Sequence, residues 1–376
     1  MRRLFLLAVF LLCAWPRPAW AKEASSVLRV VSWNVWGVPF VSDAREQRMR
    51  AIGPAIAKLR PNVVLLQELW SEGDAEVVIQ ALADAGLAYE IHGASARFAA
   101  FGSSGLLIAA DRPLRGVSRL DYELGRWPHT PYHLDWLSRK AALAATIDTP
   151  GGPLLLVNTH WQAAYRTGNY APVRLAQSLE LCEWLTERET SHLLLAGDFN
   201  QEPGEHATDL LGARLGAGEL AGGEGLDRIF AVGIRLEHAR EALTEDVALT
   251  DGRRMPLSDH PAWVADVQLV SRRVENRSAV EADSLRELAA ETRTLRRQLW
   301  TARILALLGA LCCFRLLLGG RVRGLGGPWI ARRGRAVRRV LLVVTLSGTA
   351  YAVYFAWGYA PSQARGLNHA LERLRR

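Results

Sequence analysis

Cysteine is scarce in this chain, with four in 376 residues. Cys13 lies in an N-terminal apolar leader, Cys312 and Cys313 adjoin in a second apolar run, and only Cys182 belongs to the body. No disulfide can close within that body, which excludes a small disulfide-stapled scaffold. Positive charge is scarce there too. Residues 22–270 carry 23 Lys and Arg against 32 Asp and Glu, a net −9. The overall +8 comes from the ends, where 23 basic residues face 6 acidic ones. An acidic body argues against a nucleic-acid groove, which needs a positive field to displace counterions, so no nucleic-acid partner is expected. Charge of either sign is missing from the 21 residues Val340–Ala360, a length that spans a bilayer. What the chain does have is 49% hydrophobic residues, enough for one large domain with a sizeable core.

Met1–Ala21 opens with Arg2 and Arg3, continues with LFLLAVFLLCA and closes on Ala-Trp-Ala. That apolar core is too short to span a bilayer and precedes a small-residue cleavage pattern, so it reads as a secretory signal. Strands are expected at Leu28–Asn34, Asn62–Gln67, Gly105–Ala110, Ala141–Ile147, Leu154–Thr159 and through LLLAGD, with shorter ones near Ile229–Val232 and Trp263–Val270. Helical spacing covers Glu46–Leu59, Asp74–Ala85 and Val173–Glu189, the last with Leu175, Leu179, Cys182 and Leu185 on one face. Leu211–Gly225 reads as a glycine-rich connection. Strands outnumber helices and alternate with them irregularly, which predicts a layered α/β sandwich rather than a doubly wound sheet.

Several of these apolar runs end in polar residues. LLLAGDFNQEP delivers Asp198 and Asn200 at a strand exit, where a carboxylate and a carboxamide two residues apart can face one phosphate, metal or water. Asn34, Glu68, His160 (VNTHWQA), Asp227 (GLDRIF) and Asp259-His260 (PLSDHPAW) occupy similar positions. Each alone has a bland alternative. Asp and Asn open turns for local reasons, Asp227 could pair with Arg228, and a single histidine is more often a satisfied core residue than a functional one. The set is harder to dismiss.

The ordered stretches WNVWG, LLQELW, NTHWQA, GDFNQEPG, LDRIF and SDHP, across roughly residues 28–268, resemble the endonuclease/exonuclease/phosphatase superfamily. The resemblance implies a four-layer, DNase-like α/β sandwich that cleaves phosphoesters with a divalent metal. It makes Glu68 the principal Mg²⁺ ligand with Asn34 nearby. Asp198 and Asn200 orient water and phosphate, and His260 is the general base with Asp227 as its partner. Asp259 lies beside the metal, and His160 contacts the phosphate or assists the leaving group. The residue types suit the task, since a hard cation neutralises charge on a phosphodiester and a histidine near neutral pKa takes a proton from water.

A narrower resemblance is to membrane-anchored neutral sphingomyelinases, through WNVWGVPF, HLDWLSRKAAL, THWQAAY and PLSDHPA. It implies a phospholipase C type reaction on sphingomyelin or a related choline phospholipid, with Asp135 and Lys140, five residues apart, switching the site on. Arg228 departs from that branch and is common in nucleases, which makes a metal-dependent nuclease the alternative. Trp36, Trp70, Trp127, Trp136 and Trp161 could form a lipid-facing surface or belong to the core.

The expected organisation is a signal (1–21), a catalytic domain (22–270), an amphipathic stalk (271–298), a transmembrane helix (299–320), an arginine-rich loop (321–339), a second transmembrane helix (340–360) and a short helical tail (361–376). Two C-terminal helices would make the protein integral to a membrane. Seven arginines in the loop place that loop in the cytoplasm and the catalytic domain on the opposite side. Leu367, Leu371 and Leu374 of the tail are spaced to pack against Leu285, Leu288 and Leu295 of the stalk.

Overall fold

Val27–Asn34 (β1), Arg45–Leu59 (α1) and Val63–Gln67 (β2) begin the chain of the computed structural model, with β1 and β2 parallel from Val30↔Val63 to Asn34↔Gln67. The structure describes residues 27–39, 41–93, 103–125, 133, 135, 139–166, 168–188, 190–270, 281–317 and 328–375. The leader, Trp127 and Trp136 lie outside the described residues.

β2 is buried along its whole length because both faces are covered, whereas β1 carries the half-buried Arg29 near its start. Glu72–Asp84 (α2), Tyr89–His92 (β3) and Leu107–Ala110 (β4) follow. Arg115–Asp121 (β5), Ala141–Thr149 (β6), Gly152–His160 (β7), Ala171–Thr186 (α3) and Leu193–Asp198 (β8) begin the second half. Ala207–Leu215 (α4), Gly218–Ala221 (β9), Asp227–Val232 (β10) and Ile234–Ala242 (β11) come next. A two-residue pair, Val247–Ala248 (β12) with Arg254–Met255 (β13), precedes Ala262–Leu269 (β14).

Two six-stranded mixed sheets result, in the orders β11-β14-β1-β2-β4-β3 and β5-β6-β7-β8-β10-β9. Strand periodicity sorts their side chains into layers. On β8, Leu194 and Ala196 join Val30, Leu65 and Ile108 between the sheets, whereas Leu193 and Leu195 face α3 and α4. On the other side, Met49, Ile52 and Ile56 of α1 and Val78 and Leu82 of α2 cover Val31, Val64 and Leu66. The order is helix, sheet, sheet, helix: the DNase-like sandwich expected.

The sequence reading misses polar edge strands and one helix. β3, β5 and β11 expose much of their surface, so their apolar alternation is weak. The expected connection Leu211–Gly225 instead holds the end of α4 and all of β9. Nine residues give too few turns for a helical period to emerge, and Gly216 ends the helix in the left-handed conformation. Helix α3 stops at Thr186, short of Glu189, and is buried all round from Arg174 to Cys182.

Beyond the sandwich, Glu281–Leu317 forms one unbroken helix (α5), so the expected stalk and first span share a helix. Pro328–Val353 (α6) runs through a π-helical turn, Tyr354–Tyr359, into Ala360–Arg375 (α7). Among the described residues two helical stretches, Leu288–Phe314 and Val340–Glu372, are long and apolar enough to cross a membrane, with mean hydropathy 1.2 and 1.7. Large apolar side chains along them, Leu307, Leu311, Val343 and Val344 among them, are exposed. The ends nearest the sandwich are different. Leu288 and Leu295 of α5 and Leu367 and Ala370 of α7 are buried in one cluster with Leu175 and Leu179 of α3, and Leu371 packs beside them. The side chains of Leu285 and Leu374 fall outside the described part.

Candidate active site at the strand ends

Pairing between strands brings the polar ends together. β7 and β8 are parallel with His160 opposite Asp198, and antiparallel β10 sets Asp227 opposite Asp198. The other sheet supplies Asn34 at the end of β1 and Glu68 just after β2. The two sheets are stitched beneath the site. Gln67 Nε2 donates to Asn158 Oδ1 (2.7 Å), and Asn158 Nδ2 donates to the Leu66 (2.7 Å) and Leu107 (2.9 Å) carbonyls. Sequence reasoning misses both of these buried amides, although they sit inside LLQELW and VNTHW. A polar residue mid-strand in an apolar run is the signal that could have found them, because such a group must be satisfied when buried.

Close backbone approach shapes the rim. A Cβ on Gly197 would run into the Thr159 carbonyl oxygen, so glycine is needed where β8 lies against β7. Glu68 (φ 61) and Asn200 (φ 49) are non-glycine residues in the left-handed region, a cost that structures tend to bear at functional sites.

Across the site, Asn34 Nδ2 donates to Asp198 Oδ2 (2.9 Å), and Asp198 Oδ1 accepts from the Asn200 backbone N–H (2.9 Å). Asn200 Nδ2 donates to the Trp161 carbonyl (3.1 Å). His260 Nδ1 lies 2.6 Å from Asp227 Oδ2, leaving Nε2 as the nitrogen that faces the site. The His260 main chain is held by Ser258, whose hydroxyl donates to the Asn34 carbonyl (2.6 Å) and accepts from the His260 N–H (3.2 Å). The sequence reading also passed over Ser258. Lys140 Nζ, buried, sits 2.7 Å from His160 Nε2 and 3.2 Å from Asp135 Oδ1. Asp259 stands at the edge, half exposed and 4.0 Å from His260 Nε2. Asp227 does not pair with Arg228, which turns to the Gly225 carbonyl and Glu219.

Of the tryptophans, Trp161 is core, Trp70 is buried with its ring 5.9 Å from His160, and Trp36 carries the Arg48 guanidinium on its face.

Burial and charge set the protonation states. Burial lifts the Glu68 carboxyl to about 7, with Asp198 adding to the rise and Lys140 and Asn34 opposing it. Burial, and then the positive charges of Lys140 and His260, push His160 well below its ordinary value, so it is neutral and its Nε2 accepts from Lys140. For His260 burial works against the charged ring. The Asp227 hydrogen bond and the fields of Asp198, Asp227 and Asp259 outweigh it and raise His260 to about 10. Burial raises Asp227 as well, against the pull of His260.

Two groups of side chains could hold a cation, Glu68–His160–Asp198 and Asp198–Asp227–His260, with ligand atoms within 4.8 Å of one another. Each group joins two carboxylates to an imidazole, and the carboxylate oxygens, with the amide oxygen of Asn34 beside Asp198, suit a hard divalent ion. Asn34 Oδ1 already accepts from the Trp36 N–H (3.0 Å) and keeps one lone pair. The buried Asp227 Oδ1 has no hydrogen-bond partner among the described residues.

Known proteins share both the sequence family and the fold. An inositol phosphosphingolipids phospholipase C of Schizosaccharomyces pombe is 34% identical over 186 residues, 48% of this chain and 43% of that protein. Human sphingomyelin phosphodiesterase 2 is 30% identical over 181 residues, 47% of this chain and 41% of its own length. The matched stretch thus spans about two fifths of the curated relatives. A Staphylococcus aureus beta toxin variant with bound magnesium ions has the same fold, with a TM-score of 0.50 at 18% identity over 63% of this chain and 98% of that one. Residues 31–260 match the sequence model of one family across more than half of the chain, and the protein belongs to the Endonuclease/Exonuclease/phosphatase family.

Proposed function

We propose that this chain is a Mg²⁺-dependent phosphodiesterase of phospholipase C type, acting on sphingomyelin or a related choline phospholipid at a membrane. The observation that carries the reading is the convergence of Asn34, Glu68, His160, Asp198, Asn200, Asp227 and His260 on one strand-end site, with an imidazole–carboxylate pair at its edge. Relatives named for phosphosphingolipid cleavage supply the substrate class.

Water would add to phosphorus as the bond from phosphorus to the lipid oxygen breaks, and the departing lipid oxygen takes a proton from solvent, giving a neutral lipid alcohol and a phosphorylated headgroup. His260 Nε2 receives the proton of the water, while Asp227 on Nδ1 fixes the tautomer. Asp198 and Asn200 orient water and phosphate. Lys140 faces the phosphate oxygens as a point charge, and the neutral His160 holds that ammonium in place through Nε2. Mg²⁺ held by Glu68, with Asn34 and Asp198 beside it, would supply charge neutralisation on the phosphodiester. Arg228, the feature that favoured a nuclease, is occupied by Glu219 and the Gly225 carbonyl.

The membrane reading is supported by two exposed apolar helices and by α7, which returns to pack on α3 and α5. The proposed topology puts the sandwich outside the cytoplasm, α5 crossing inward, the arginine-rich segment 321–339 inside and α6 crossing outward; residues 328–339 of that segment, expected as loop, are the first turns of α6. Purified full chain in detergent, with Mg²⁺, should release phosphocholine from sphingomyelin and leave plasmid DNA intact. Nicked plasmid without phosphocholine would establish the nuclease instead.

A further inference from the structure

Lys140 carries the only ammonium the described residues place in the site, and its four-carbon stem leaves the head free to swing. Asp135 holds it at 3.2 Å, so the position of Lys140 is as good as that of Asp135. Asp135 is fixed from several directions. Its Oδ2 accepts from Gln162 Nε2 (2.9 Å) and the Ala163 N–H (2.7 Å), and its own N–H donates to the Tyr165 hydroxyl (3.2 Å).

Tyr165 is in turn one of three packed rings. It lies flat on His133, with centroids 4.1 Å apart and planes 7° from parallel. His133 Nδ1 is 2.7 Å from the Tyr170 hydroxyl, and the Tyr170 ring meets His133 and Tyr165 edge-on at 5.7 and 6.2 Å. Gly168 closes the loop over them, since a Cβ there would press on the Tyr170 (3.1 Å) and His133 (3.2 Å) rings. Tyr170 sits at the N-terminus of α3, whose buried Arg174 donates to the Gln162 carbonyl (2.9 Å) and Asn169 Oδ1 (2.8 Å), tying down both ends of the loop.

We propose that the Tyr165–His133–Tyr170 stack is a positioning device for Lys140: the rings hold the main chain at Asp135, and Asp135 holds the ammonium against His160. None of the three rings contacts the reacting atoms in this scheme. The inference rests on the reading of Lys140 as part of the phosphodiesterase site, but its central claim is about where the ammonium sits.

The test uses the full chain in detergent with His133→Ala, Tyr165→Ala and the milder Tyr165→Phe, which keeps the stack and removes the hydroxyl. Acetylation of Lys140 by acetic anhydride, followed by peptide mass spectrometry, reads the ammonium directly, with exposed Lys58 as internal control. Labelling of Lys140 should be slow in the wild type and rise several-fold in both alanine variants, and less in Tyr165→Phe, while Lys58 stays constant. On sphingomyelin micelles or bis(p-nitrophenyl) phosphate, kcat should fall by about tenfold with little change in KM. In a Lys140→Ala background His133→Ala should cause no further loss, because both act through one group. Unchanged labelling, or losses that multiply in the double variant, would overturn the proposal. If an alanine variant fails to fold, Tyr165→Phe carries the same readouts. A wild type inactive on both substrates, with labelling still rising in the variants, would reject the function and leave the positioning role standing.

Discussion

His260 and Glu68 make opposite demands on pH. A base must be neutral to accept a proton, yet Asp227, Asp198 and Asp259 raise His260 to about 10 against the effect of burial. Asp227→Asn removes the strongest of these partners, so the His260-controlled limb of the pH–rate profile should move to lower pH while kcat falls. A limb that stays in place would mean another group controls it. His260→Ala should lower turnover by about 10²-fold or more in a protein that still folds, since proton transfer is lost. Glu68 must be ionised to hold a cation, and burial lifts it to about 7. Below that pH protons compete with Mg²⁺, so the Mg²⁺ concentration for half-maximal activity should rise as pH falls through 7. Glu68→Gln should raise that concentration at every pH and flatten its pH dependence, which a metal titration at two pH values would measure.

At the scale of elements, the site depends on how closely β7 and β8 approach. Gly197 is flanked by the pairing of His160 with Asp198, and a methyl group there meets the Thr159 backbone. Gly197→Ala should cost about 1–3 kcal/mol in denaturant unfolding through overpacking. It should also depress activity more than stability predicts, because both site residues ride on the displaced strands. An alanine variant with wild-type activity would show that the two strands separate freely.

On the scale of the whole molecule, the long C-terminal apolar helices and the sandwich share a core. A Cβ at Gly366 of α7 would press on Leu124, and His369 lies 3.5 Å from Glu123. Gly366→Leu should therefore lift α7 off the sandwich and lower the melting temperature of the detergent-solubilised protein. An unchanged melting temperature would mean that this contact contributes nothing. Reporter fusions after Val270, at Gly327 and after Arg376 should read outside, inside and outside. An outside signal at Gly327 would overturn the proposed topology.

By itself the sequence determined the buried central strands, the long helices and the residue types at the strand ends. Those signals are local: an apolar run such as LLLAG must be covered on both faces wherever it lies. It also paired Asp135 with Lys140 through a resemblance. Only the tertiary structure decided that Asn34 from one sheet meets Asp198 from the other, 164 residues away. It alone joined Gln67 to Asn158 beneath them. It decided as well that the two histidines, alike in sequence, are shifted in opposite directions, His160 down and His260 up. Their protonation follows from which neighbours burial leaves beside each ring, Lys140 for one and Asp227 for the other. A long-range contact between polar side chains leaves no periodic trace in the chain, so it exists only once both sheets have closed on each other.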